Sequence, residues 1–302
     1  MTERPFAAVC VAGAGFMGAQ IGLQCALSGY ATCLADPSAE ARQRAQAFQE
    51  EELNGRVHAG KMSAAERRAA LERLRFAASL EEGVADADLV IEAVPERLDL
   101  KKQVFARLDQ ICPARTILAT NSSSLRVSLI EGATRRPDRL LNLHFYGIIW
   151  ERPMVELMRG SRTSEKTMDT MRRFARSIGM TPLLVQKEST GFLFNRVWRA
   201  IKKEALHLVQ EGVASHEDVD RAWMVFTGMR LGPFGLMDRV GLDVVRDIEN
   251  VYYRESGDPG DAPPPLLEEK VAKGELGIKT GKGFYEYPHP AFEDPEWLKG
   301  EV

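Results

Sequence analysis

Residues 141–158 read LNLHFYGIIWERPMVELM, an apolar run interrupted by His144 and, twelve residues later, by Glu156. Histidine exchanges protons near neutral pH, and a carboxylate on its second ring nitrogen fixes the tautomer and stabilises the imidazolium. Such a pair suits general acid–base work, for instance the removal of a proton from an alcohol. A buried ion pair without chemistry would use the same two residues, and that reading stays open at this level. The other histidines are placed less suggestively: His58 and His216 fall in polar segments, His207 inside a helical pattern and His289 in the tail.

What must position the pair is legible around it. Short apolar runs at 7–12 (AAVCVA), 31–36 (ATCLAD), 88–94, 116–120, 140–145, 155–158 and 182–185 read as strands, the first buried on both faces. Helical patterns lie between most of them, among them 97–111 and 165–178, the latter closed by Gly179. A long polar, alanine-rich segment runs from Pro37 to about Leu74. Gly55 and Gly60 interrupt it and Ser63 with Glu66 forms a capping-box signature, so it reads as an inserted helical hairpin. Strands alternating with helices predict an α/β Rossmann-type, doubly wound, mostly parallel sheet, with His144 at the ligand-binding edge.

After Val185 the strands stop, QKESTG reads as a linker, and helical spacing resumes at Phe194, Val197, Trp198, Ile201 and Ala205. Ser215 with Asp218 caps a further helix. We therefore expect a Rossmann-type domain over 1–186 and an all-α C-terminal domain over 187–302, with the proline-broken tail along the surface.

The first turn carries GAGFMG, in which Gly13, Gly15 and Gly18 enclose Phe16 and Met17, and Asp36 follows at the end of the second strand. Gly13 allows the tight turn, Gly15 lets backbone approach a pyrophosphate and Gly18 permits close helix–strand packing. The helix N-terminus offers free N–H groups to phosphates. Asp36 suits the ribose hydroxyls, and its charge would repel a 2′-phosphate with no arginine immediately following. NAD is thus expected over NADP, the alternative being glycines that merely punctuate a strand-turn-helix.

With 40 basic against 43 acidic side chains, the chain has no net field that would gather nucleic acid or an anionic membrane. Cys10, Cys25, Cys33 and Cys112 lack CxxC spacing and read as reduced core residues, no metal being expected. No apolar run approaches a membrane span, and the first strand begins too early for a leader, so a soluble, cytoplasmic protein is expected.

The motifs GAGFMG, IEAVPE, TNSSSL, the histidine with its glutamate, GFLFNRV, GPFGLMDRVGLD and GIKTGKGFYEY occur in the order and spacing of one family. From near residue 6 to about Tyr287 the chain resembles the L-3-hydroxyacyl-CoA dehydrogenases. The resemblance implies that His144 is the general base and Glu156 its orienting carboxylate. It implies that Ser123 hydrogen-bonds the substrate oxygen, and that Asn195 reaches the same region from the helical domain. Glu96, Lys101 and Asn121, with Ser123, would line the nicotinamide half of NAD. A homodimer through the helical domain and a place in fatty-acid β-oxidation are implied too. Bland readings stand beside these: Ser123 as a helix cap, Asn195 as a helix N-terminal residue, Glu96 and Lys101 as a solvated pair.

The chain departs from the family at two places. Most family members continue the histidine as HFFNP, whereas here Gly147 and Ile148 replace the asparagine and proline, and Trp150 and Arg152 add bulk and charge. In the hairpin, a lysine-rich stretch near CoA is reduced to RVHAGKM, in which Arg56 and Lys61 remain to meet phosphates. Three functions follow. The first is NAD-dependent oxidation of an L-3-hydroxyacyl-CoA. The second is the same chemistry on a free β-hydroxy acid (carnitine-like or a sugar acid) or a carrier-bound acyl group. The third is a non-catalytic NAD-binding sensor or structural dimer.

Overall fold

The computed structural model describes residues 4–300. Its sheet comprises β1 (Ala8–Ala12), β2 (Ala31–Ala35), β3 (Leu74–Ala77), β4 (Leu89–Glu92), β5 (Ile117–Thr120), β6 (Leu140–Phe145), β7 (Met154–Arg159) and β8 (Thr181–Val185). The spatial order is β3-β2-β1-β4-β5-β6-β7-β8, and β6–β7 is antiparallel while the other neighbouring pairs are parallel. Both faces are covered, because alternate residues of a strand point to opposite sides. Val9 and Val11 join the layer that holds Ile21 of α1 (Phe16–Leu27), whereas Cys10 and Ala12 join the opposite layer.

The inserted hairpin is α2 (Ala39–His58) and α3 (Ala64–Glu72), and the Ser63–Glu66 capping box is formed. α4 (Leu80–Val84) and α5 (Leu98–Ile111) follow on the layer of Cys10, and α6 (Glu165–Ser177) packs Phe174 into the layer of Val9. Gly179 stands in the left-handed region just past α6, as its closing role requires. The sequence reading missed β3 and α4. The four residues of β3, LRFA, sit at the sheet edge with Arg75 turned outward to the Glu82 and Gly83 carbonyls, too short and too polar a pattern to stand out.

All four cysteines are buried and free, and burial pushes the Cys25 thiol up to about 12 and, with Arg136 opposing, that of Cys112 up to about 11. Among the described residues no helix is long and apolar enough to cross a membrane.

The chain divides into two compact units after Leu193. The division expected at 186/187 falls a few residues earlier; the intervening stretch is tied into the first unit, where Glu188 accepts from the Ser128 N–H. The second unit is helical: α7 (Phe194–Gln210), α8 (His216–Thr227), α9 (Pro233–Val240), α10 (Leu242–Ser256) and α11 (Pro265–Ala272). Its tail does not merely lie along the surface. Phe292 and Trp297 are buried in the core with Phe234, Leu267 and Tyr285, since large aromatic faces bury more apolar area than any other side chain can.

Buried Asp220 accepts from the Phe234 and Gly235 N–H groups at the start of α9 and from the Tyr285 hydroxyl. Burial, helped by the charge of Asp238, outweighs those donors and pushes its carboxyl up to about 6. The folded chain therefore holds this proton more tightly than the unfolded chain. The stability so gained is full at low pH and is lost as pH rises through about 6. In urea titrations the stability of the wild type relative to Asp220→Asn should fall from about pH 4, the ordinary range of a carboxyl, to about pH 6 and level off above it. A difference that stays flat would refute the assignment.

Candidate active site

His144 and Glu156 are register partners across the antiparallel β6–β7 pair, so their side chains leave the same face directly opposite one another. His144 Nδ1 lies 3.0 Å from Glu156 Oε2, with the histidine nearly and the glutamate fully buried. An ionised carboxylate only accepts, so Nδ1–H donates and Nε2 is left as the acceptor. The carboxylate is held from two further sides, by the Leu193 N–H on Oε1 at 2.9 Å and the Tyr146 hydroxyl on Oε2 at 2.8 Å. The rings of Tyr146 and Phe192 pack on the imidazole, with centroids 4.4 and 5.0 Å away. Phe192 holds a φ of 54°, a conformation that costs a non-glycine residue about 1–3 kcal/mol and marks a place where the backbone is constrained for position.

Beside this pair a second polar cluster closes the ends of β4 and β5. Glu92, fully buried, accepts from Lys101 Nζ and the Val94 N–H at 2.7 Å and from the Thr120 hydroxyl at 2.6 Å. Lys101 also reaches Glu96 at 3.1 Å. Burial resists ionisation of Glu96, but the Lys101 ammonium and the hydroxyls of Ser122 and Ser124 hold its carboxyl below the ordinary range. Lys101 is thus not a solvated helix-start residue; it is buried between two carboxylates. Asn121 spends its Oδ1 on the Phe145 N–H at 2.8 Å, locking the end of β5 to the end of β6 next to His144. Ser123 is exposed, and the 3-10 turn that follows (Val127–Leu129) is capped at Arg126, which removes the helix-cap reading of this serine. Asn195 lies in the first turn of α7, in the second unit.

Glu92, Tyr146 and the Leu193 N–H were missed from sequence. Glu92 had a signal, a lone charge ending the apolar run LVIE; Tyr146 and Leu193 had none, because their role depends on where Glu156 ends up.

The glycine turn has the shape a dinucleotide needs. Gly13 has a φ of 114°, and a Cβ there would meet the Ala93 carbonyl oxygen at 2.7 Å. A Cβ on Gly18 would stand 2.0 Å from the Gly13 carbonyl oxygen, so the helix can sit this close to the turn only with glycine. Gly15 faces open space, is exposed, and caps α1 without any side-chain hydrogen bond, leaving helix N–H groups for an anion. Asp36 braces the turn by accepting from the Ala14 and Ser38 N–H groups at 2.8 and 2.9 Å, with lone pairs left for ribose hydroxyls. Arg42 donates to the Asp36 carbonyl oxygen. Phe16, exposed, and Met17 meet Gly147, at whose Cβ position they come within 3.0 and 3.2 Å.

The unusual loop after His144 is docked on the hairpin. Trp150 stacks on Phe48 with ring centroids 6.2 Å apart, and the Arg56 guanidinium lies 4.9 Å from the Trp150 ring centre. Arg56 also pairs with Glu52 at 2.8 Å. It is already engaged twice. Lys61, at the turn between α2 and α3, lines an open pocket with Phe48, Glu51 and Arg56.

Known proteins resemble this chain in both of its parts. Residues 8–189 match the 3-hydroxyacyl-CoA dehydrogenase NAD binding domain and residues 191–287 the 3-hydroxyacyl-CoA dehydrogenase C-terminal domain. The chain is 37% identical over 279 residues to a 3-hydroxybutyryl-CoA dehydrogenase of Clostridioides difficile, covering 92% of this chain and 99% of that one. Among solved structures it resembles an (S)-3-hydroxybutyryl-CoA dehydrogenase from Ralstonia eutropha, at 33% identity and a TM-score of 0.89 over 94% of this chain and all of that one. It also resembles a diketoreductase described as acting on dicarbonyl compounds, at 35% identity and a TM-score of 0.81 over 93% and 99% of the two chains. With both domains matched in order and the dinucleotide cradle in place, the chain belongs to the 3-hydroxyacyl-CoA dehydrogenase family and is an NAD-dependent oxidoreductase.

Proposed function

We propose that the protein oxidises an L-3-hydroxyacyl-CoA reversibly to the 3-ketoacyl-CoA, with His144 as general base and Glu156 as the carboxylate that orients it. The observation that carries this reading is the buried Nδ1–carboxylate contact at the ligand-binding edge of the sheet, fixed by strand register and backed by the Leu193 N–H. NAD, when bound, supplies the hydride acceptor. Nε2 takes the hydroxyl proton as the C–O bond becomes a carbonyl, and Glu156 stabilises the resulting imidazolium. Gly13, Gly15, Gly18 and Asp36 hold the cofactor, with Phe16 and Met17 at the turn and Glu96, Lys101 and Asn121 shaping the nicotinamide half. Ser123 and Asn195 orient the substrate oxygen. The exposed apolar side chains Val225, Phe226 and Met229 support a homodimer through the helical unit.

The test is NADH oxidation with acetoacetyl-CoA against free acetoacetate at matched concentrations. We expect clear preference for the thioester, and activity with the free acid alone would overturn the CoA assignment. One observation favours that second reading: Arg56, a cation expected to meet CoA phosphates, is taken up by Glu52 and Trp150. The likeness to a diketoreductase points the same way.

A further inference from the structure

Two donors converge on one oxygen of Glu156. The imidazole Nδ1 approaches Oε2 to 3.0 Å and the Tyr146 phenol approaches the same atom to 2.8 Å, while the Leu193 N–H occupies Oε1. The phenol ring lies tilted 54° against the imidazole, so its packing role and its hydrogen bond are separable by removing the hydroxyl alone. A neutral donor on a carboxylate oxygen draws charge from it and weakens what that oxygen offers to a second donor.

We infer that Tyr146 is a positioning residue that acts through Glu156, its hydroxyl moderating how strongly the carboxylate stabilises a proton on His144 and so setting the pH at which His144 passes from base to acid. The inference rests on the proposed role of His144 as the base. Loss of the hydroxyl removes one donor from Oε2 and strengthens its hold on the imidazole, which then keeps its proton to higher pH.

Among the described residues of the sheet, the side chains that face the pair carry no competing charge. On the same face of the sheet stand Thr120 of β5, Asn142 of β6 and Met158 of β7, none of which titrates, and Leu183 of β8 is the register partner of Glu156. From the segment preceding α7 come the Phe192 ring and the Leu193 N–H. The nearest ionisable cluster along the sheet, Glu92 with Lys101 and Glu96, lies at the end of β4, two strands away, and is internally paired. Glu188 is engaged by the Ser128 N–H.

Tyr146→Phe keeps the ring and deletes only the hydroxyl. The pH dependence of kcat/KM for NADH-dependent reduction of acetoacetyl-CoA is measured for wild type and variant. The ring titration of His144 is followed by NMR in the free enzyme, its signal assigned by its absence in His144→Gln. We expect both midpoints to move upward by roughly half to one pH unit, the size of one ordinary hydrogen bond expressed on the pH scale. A tyrosine that only fills space would change rate or KM and leave the midpoints in place, and an unmoved or lowered midpoint overturns the inference. His144→Gln separates the two levels. If the limb vanishes in His144→Gln yet stays put in Tyr146→Phe, the assignment to Tyr146 alone is wrong. If His144→Gln keeps both its activity and the limb, the base assignment fails and this inference with it.

Discussion

His144→Ala should lower turnover by about 10²–10⁴-fold, the contribution of a positioned general base. NADH binding should survive, because the cradle of Gly13, Gly15, Gly18 and Asp36 is built on β1, α1 and β2, the two strands lying three and four positions from β6 in the sheet. Steady-state rates and NADH fluorescence titration on the same preparation separate the two effects. Turnover within about tenfold of wild type would remove the histidine from the chemistry and leave the buried pair as a structural contact. Glu156→Gln should fall between wild type and His144→Ala, since it keeps an acceptor for Nδ1 while discarding the charge that stabilises the imidazolium.

Lys101→Met should destabilise the folded chain by about 3–5 kcal/mol, the cost of leaving a buried charge without its partner. The lysine is 1% exposed and its ammonium serves a fully buried carboxylate, Glu92, as well as the partly exposed Glu96. Removing the cation leaves Glu92 with only the Val94 N–H and the Thr120 hydroxyl. The variant's urea midpoint should drop accordingly, and adding Glu92→Gln should recover much of the loss, because the uncompensated charge is then gone. A single variant within about 1 kcal/mol of wild type would mean that the cluster is not the anchor of the β4 and β5 ends.

What the sequence made legible follows the length scale of each interaction. The strand containing His144 was readable to the residue, since LLNLHF is a continuous apolar run and Leu140–Phe145 is the strand found. The hairpin was readable because the Ser63–Glu66 box is a local signal, made within one helical turn. Glu156 was identifiable from its strand, though only the register showed that it stands opposite His144 rather than merely near it. The polar partners that complete the pair were not readable: Leu193 lies far from Glu156 in sequence, and Tyr146 in HFY differs from its apolar neighbours by one hydroxyl. The tail misled for the opposite reason. Prolines around Phe292 and Trp297 correctly exclude long helices, but a 3-10 turn buries an aromatic ring as well as an α-helix does.

Because His144 and Glu156 face each other through paired β6 and β7, their meeting owes nothing to the composition of residues 147–153 between them. The loop is anchored instead by Trp150 on Phe48 and Arg56. The paired strands and the loop that joins them are therefore separable modules in this fold. Evolution, or an engineer, can exchange the loop together with its docking partners on the hairpin while the His144–Glu156 pair is inherited intact.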